Sequence, residues 1–109
     1  MGLDVMPKYK ARIDRNQVEI VKTFREYGAS VVHTHTLGRG FPDIVVGYQG
    51  SNFLVEIKDW LKPQSQRKLT EAEQEFLNNW KGQYQVIESV GDVVAFMETI
   101  TRRKNNGTF

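Results

Sequence analysis

Apolar residues recur along this chain with two different periods, and the switches between them mark its elements. Ile20, Phe24 and Tyr27, with Val21, make a stripe at helical spacing. Asp14 followed by Gln17 has the signature of a capping box and Gly28 supplies the stop, which predicts a helix over about residues 15 to 27. Ser30 to Thr36 alternates loosely and is β-branched, so it reads as a strand, followed by the glycine-flanked loop Leu37-Gly38-Arg39-Gly40-Phe41-Pro42. Asp43 to Tyr48 and Phe53 to Lys58 are β-rich, and Gln49-Gly50-Ser51-Asn52 between them is turn chemistry. This predicts a hairpin with Tyr48 opposite Phe53 and Asp43 opposite Lys58, whether the loop is Gly50-Ser51 or all of residues 49 to 52. After Trp60 comes a polar loop with Pro63. Thr70 and Glu73 then cap a second helix that buries Phe76, Leu77 and Trp80 and ends at Gly82. Tyr84 to Glu88 reads as a fourth strand. Asp92 precedes a last helix carrying Val93, Val94, Phe96, Met97 and Ile100, which frays into the polar tail 104–109. Residues 1–13 hold no period and read as an N-terminal arm.

The order helix, three strands, helix, strand, helix predicts one α/β domain over 1–109, a sandwich around a four-stranded mixed sheet. The hairpin is its antiparallel part. The connection from the third strand through the second helix to the fourth is long enough for a right-handed parallel crossover.

Alternation splits the hairpin into two faces. Ile44, Val46, Tyr48, Phe53, Val55 and Ile57 share an apolar face that must meet a helix, while Asp43, Val45, Leu54, Glu56 and Lys58 share the other. Two converging carboxylates repel unless a cation lies between them, and hard oxygen ligands suit Mg²⁺ or Mn²⁺. A neighbouring ammonium can orient water or offset charge on a phosphate, so the set suits phosphodiester hydrolysis. The alternative is an ordinary hairpin whose polar face is solvated.

Composition narrows this picture. A length of 109 residues supports one core, and a net charge of +2 makes any nucleic-acid role depend on where the charges lie. They cluster at Lys8, Lys10, Arg12 and Arg15, at Lys62, Arg67 and Lys68 after the hairpin, and at Arg102, Arg103 and Lys104. Any one cluster also reads as solvated surface. Without cysteine there is no disulfide framework or thiolate zinc site, which is compatible with a reducing compartment. No signal peptide or membrane span is legible, and Met at position 6 argues against myristoylation at Gly2.

The chain resembles the virus-type replication-repair nuclease (VRR-NUC) domains of the PD-(D/E)xK nuclease superfamily. The resemblance covers nearly the whole chain. It lies in Asp14-Arg15-Asn16-Gln17-Val18-Glu19-Ile20-Val21, Gly28-Ala29-Ser30-Val31, Gly40-Phe41-Pro42-Asp43, Val55-Glu56-Ile57-Lys58-Asp59 and Lys68-Leu69-Thr70 with Glu73 and Phe76. It implies a restriction-endonuclease-like α-β-β-β-α-β-α fold and a divalent-metal-dependent endonuclease. Asp43 and Glu56 would ligate Mg²⁺ or Mn²⁺, Ile57 would lend its backbone carbonyl, and Lys58 would stand beside the attacking water. It further implies a small homodimer of stand-alone phage type acting on branched DNA, Holliday-junction-like or flapped, in the cytoplasm of a host cell. A first-helix glutamate commonly stands near the metal in the superfamily, directly or through water, which makes Glu19 a further candidate. A surface pair with Lys22 is its alternative. Gln74 and Gln17 are candidates for supporting polar contacts, with solvation on a helix surface as the plainer reading, and capping alone accounts for Glu73.

Arg39, freed by its flanking glycines, and Lys62, Arg67 and Lys68 are the candidate phosphate contacts. His33 and His35 share a strand face at metal-binding spacing, but with no third His and no Cys they read as partly exposed strand residues. Trp80 has core spacing, whereas Trp60 is open to stacking a base, and Trp60 and Phe41 are the aromatics left for a dimer interface. Three functions compete: the nuclease, a catalytically silent nucleic-acid-binding module of the same fold, and a small restriction-type enzyme. The intact set Asp43, Glu56 and Lys58 favours the nuclease, and the chain is short for a separate recognition domain.

Overall fold

The computed structural model describes residues 14–107, so the N-terminal arm with Lys8, Lys10 and Arg12 lies outside the described residues. The elements run α1 (Gln17–Glu26), β1 (Ser30–His33), β2 (Ile44–Tyr48), β3 (Ser51–Ile57), α2 (Gln64–Arg67), α3 (Glu71–Asn79), β4 (Tyr84–Ile87) and α4 (Val90–Asn105). The sheet has the order β1-β2-β3-β4, antiparallel except for the parallel pair β3 and β4, so the expected mixed sheet and crossover are present. One element is additional: α2 interrupts the polar loop after Trp60.

The hairpin register differs from expectation by two residues. Tyr48 pairs with Ser51 and Val46 with Phe53, around a turn of Gln49 and Gly50 at φ 49° and 85°. Two successive left-handed residues make a primed turn, whose twist matches the strands. A glutamine in that conformation is uncommon and Ser51 looked like turn, which is why the sequence misplaces the loop. A shift of two leaves every side chain on its own face. It changes the partner, and continuing the register one step brings Asp43 opposite Glu56 instead of Lys58.

The apolar hairpin face is covered by two helices. Ile20, Val21 and Phe24 of α1 and Val93, Met97 and Ile100 of α4 close over Ile44, Val46, Phe53, Val55, Ile57 and Ile87. Phe96 meets Phe53 edge-on at 5.2 Å. Helix α1 starts later than expected, and its cap is not the predicted box. Its N-cap is Asn16, with no capping hydrogen bond from a side chain, and Asp14 contributes only its carbonyl, to the Gln17 N–H at 2.9 Å. The capping box of α3 is present, with the Glu73 N–H donating to Thr70 Oγ1 at 3.2 Å and the Thr70 N–H to Glu73 Oε1 at 2.8 Å.

Helix α3 covers the polar sheet face loosely. Against expectation none of its residues is fully buried and Trp80 remains 41% exposed. Phe76 anchors it, with its ring 5.2 Å from Phe41, 5.4 Å from Trp80 and 6.3 Å from Tyr84. A second anchor is backbone: Gly40, at φ 79°, packs so closely on the carbonyl of Ala72 that a Cβ there would collide with it. No helix among the described residues is long and apolar enough to cross a membrane.

Candidate active site

The ends of β2 and β3 carry the chemistry. Pro42 leads into Asp43, whose N–H donates to the Val55 carbonyl at 3.0 Å and whose Oδ2 accepts the Ile57 N–H at 2.8 Å. That second bond fixes the carboxylate against β3. Glu56, 3% exposed, faces it on the same side of the sheet. A buried glutamate is not the solvated residue of an ordinary polar face: burial first, then the charges of Asp43 and Glu73, push its pKa up to about 10, so its surroundings disfavour the carboxylate. Burial also raises Asp43, against the lowering effect of the Ile57 N–H.

Lys58 completes the group. Its Nζ is 2.8 Å from Glu73 Oε1 and 3.7 Å from Glu56 Oε2, both in largely buried surroundings. Burial works against the ammonium, but the hydrogen bond and charge of Glu73, with Glu56 adding, hold its pKa above the ordinary value. Burial likewise opposes the Glu73 carboxylate, and Lys58 with the Thr70 N–H outweighs it, so the Glu73 pKa is lowered. These residues line a cleft of about 350 Å³, into which Asp14 and Lys62 also face, 3.4 Å apart.

Several of these positions were not legible in the sequence as site residues. Asp14 looked like a cap, and Glu73 looked occupied by capping alone. Tyr84 pairs in register with Leu54 and so shares the face of Glu56; burial and the charges of Glu56, Glu73 and Asp43 raise its pKa. Asp59, also in the cleft wall, is clamped by Arg15 at 2.9 Å, and Asn16 donates to the carbonyls of Lys58 at 3.1 Å and Glu88 at 2.8 Å. The start of α1 thus holds the end of β3 in place. The alternation of apolar residues carries no trace of such contacts.

Other candidates fall elsewhere. Glu19 is exposed on α1 and, among the described residues, neither lines the cleft nor pairs with Lys22; Asp14 is the acidic side chain that the N-terminal end of α1 brings there. Gln17 is buried, with Nε2 3.2 Å from Nδ1 of His33, and Gln74 is exposed and donates to Asn78 at 2.9 Å. Neither supports the cleft. Strand β1 stops at His33, so His35 lies in a turn, with the two rings 6.0 Å apart and no third ligand among the described residues. Arg39, itself at φ 58°, lines a separate groove with Phe76 and Trp80. Arg67 is tied to Glu88 at 3.0 Å, whereas Lys68 is exposed.

The donor set suits a divalent cation. Among the described residues no three histidine or acidic side chains converge into a ready cage. Two carboxylates with a backbone carbonyl leave positions for water, as Mg²⁺ favours, and a cation between Asp43 and Glu56 would relieve the repulsion among acidic groups that, with burial, raises both pKa values.

A scan against protein-family models and a search of curated proteins gave no match. Among solved structures the fold is similar to that of a VRR_NUC domain at a TM-score of 0.54 and 27% sequence identity, over 77% of this chain and 91% of the other. The likeness read from the motifs thus extends to the three-dimensional structure. The chain has the fold of a VRR_NUC domain, a likeness that supports a nuclease-type domain.

Proposed function

We propose that the protein is a Mg²⁺- or Mn²⁺-dependent endonuclease that hydrolyses phosphodiester bonds in branched DNA, in the replication, recombination or repair of a phage or mobile element. The observation that carries the reading is the pairing of Asp43 with Glu56 beside the Lys58 ammonium in one cleft. Asp43, Glu56 and the Ile57 carbonyl would hold the cation. Bound there, it supplies Lewis-acid stabilisation of charge on the phosphate and lowers the pKa of water. Asp43 is pre-set for this by the Ile57 N–H, which fixes its carboxylate. Lys58, aimed by Glu73, presents its ammonium to the attacking water and to the phosphate oxygens as their charge grows. In the net step water oxygen bonds to phosphorus, one phosphorus–oxygen bond breaks, and the departing oxygen gains a proton. Arg39, Lys62 and Lys68 contact neighbouring phosphates, while Arg67 is largely committed to Glu88.

Cleavage of branched, flapped and linear DNA with Mg²⁺ or Mn²⁺ tests the reading. A chelator should abolish nicking, and Asp43→Ala or Lys58→Ala should lower turnover by about a hundredfold or more while the fold persists. Undiminished cutting by either variant would sink the assignment. Tight binding of branched DNA by a wild-type protein that never cuts would leave a silent binding module in its place.

A further inference from the structure

Trp60 and Leu61 are left in solvent, 54% and 59% exposed, where the backbone is tied down. The Trp60 N–H donates to the Glu88 carbonyl at 3.4 Å, the Leu61 N–H to the Asp59 carboxylate at 3.0 Å and the Lys62 N–H to the Asp59 carbonyl at 3.0 Å. The Asp59 side chain, 2% exposed, is gripped in turn by Arg15. Mobile surface chain has no need of such an anchor. The turn holds an indole and an isobutyl group outwards in fixed positions, and neither contributes to the core. Asp59 and Lys62, on either side of the pair, line the acidic cleft, so the pair stands at its rim.

We infer that the Trp60–Leu61 turn is a stacking wedge that engages nucleobases where the substrate departs from continuous duplex. The inference rests on the nuclease reading and specifies its substrate class, DNA with an unstacked base near the cut. An indole stacks on any base without reading sequence, and an apolar side chain enters between base steps. In uninterrupted duplex both faces of every base are already covered; at a fork or junction one face is free. Charge decides between DNA and a second copy of the chain as the occupant. Lys68 is exposed and follows the turn in sequence, and the half-exposed Arg15 and Lys62, paired with Asp59 and Asp14, add to a basic edge complementary to phosphates, whereas a two-fold contact through the turn would set Lys68 against its own copy.

The test uses fluorescence, because the chain has two tryptophans and Trp80→Phe leaves Trp60 as sole reporter. With a chelator present to prevent cutting, the protein is titrated with forked DNA and with uninterrupted duplex of equal length. Forked DNA should quench and shift Trp60 emission. Trp60→Ala should weaken binding to forked DNA about tenfold and to duplex less than about twofold, with Trp60→Phe retaining most of the affinity. Equal binding by Trp60→Ala, or no binding to either DNA, overturns the wedge. So does a Trp60→Ala variant that loses both DNAs alike and sediments as a smaller species, which would make the turn a contact between copies. Cutting without a Trp60 signal sinks the wedge alone, and a Trp60 signal without cutting sinks the nuclease reading alone.

Discussion

The Oε1 atom of Glu73 accepts from two donors, the Lys58 ammonium and the Thr70 N–H, both at 2.8 Å. A capping residue and a site residue are therefore one side chain. Glu73→Gln keeps an oxygen for the Thr70 N–H but removes the charge that offsets burial of the ammonium, so the variant separates the two roles. Its urea midpoint should fall less than that of Glu73→Ala, for which loss of the capping bond alone costs about 1 kcal/mol. Turnover should drop in both, because Lys58 loses its charged partner in each. Full activity in Glu73→Gln would show that the charge does not aim the lysine.

At the scale of elements, α3 and the loop before β2 depend on a glycine. Gly40 combines φ 79° with contact against the Ala72 carbonyl. Gly40→Ala should destabilise the fold by about 1–3 kcal/mol through the left-handed conformation and the overlap together, measured as a shift in the denaturation midpoint at unchanged slope. An unchanged midpoint would mean that the loop yields freely. Segments of this kind divide what the sequence disclosed from what it hid. The core faces of α1, β2, β3 and α4 were legible because period and burial agree there: Ile20, Phe24, Val46, Val55 and Met97 are buried as their spacing requires. Trp80 misled because its helix lies over Glu56 and Lys58, a polar surface that cannot bury an apolar stripe. Asp43, Glu56 and Lys58 were legible as one face since alternation is indifferent to a two-residue slip. Asp14 and Glu73 were not, since they reach the cleft through contacts between distant segments that no local pattern encodes.

For the whole molecule we propose a two-fold homodimer, in which two clefts would face two strands of a junction. Of the two aromatics open in the sequence for its interface, Phe41 is committed to Phe76, and Trp60 stands at the cleft rim. Val18 on α1 is, among the described residues, the most exposed of the large apolar ones and is a better position to probe. Sedimentation at micromolar concentration should show a species of twice 12.6 kDa, and Val18→Glu should shift it towards the monomer. A monomer with full junction-cutting activity would rule the dimer out. The sheet bears on the same question at higher concentration. Its order ends on β1 and β4, each four residues long. Unpaired strand edges are templates for foreign strands, and short edges offer too few successive amides to hold a register. Two edges this short limit edge-to-edge pairing between copies at high concentration.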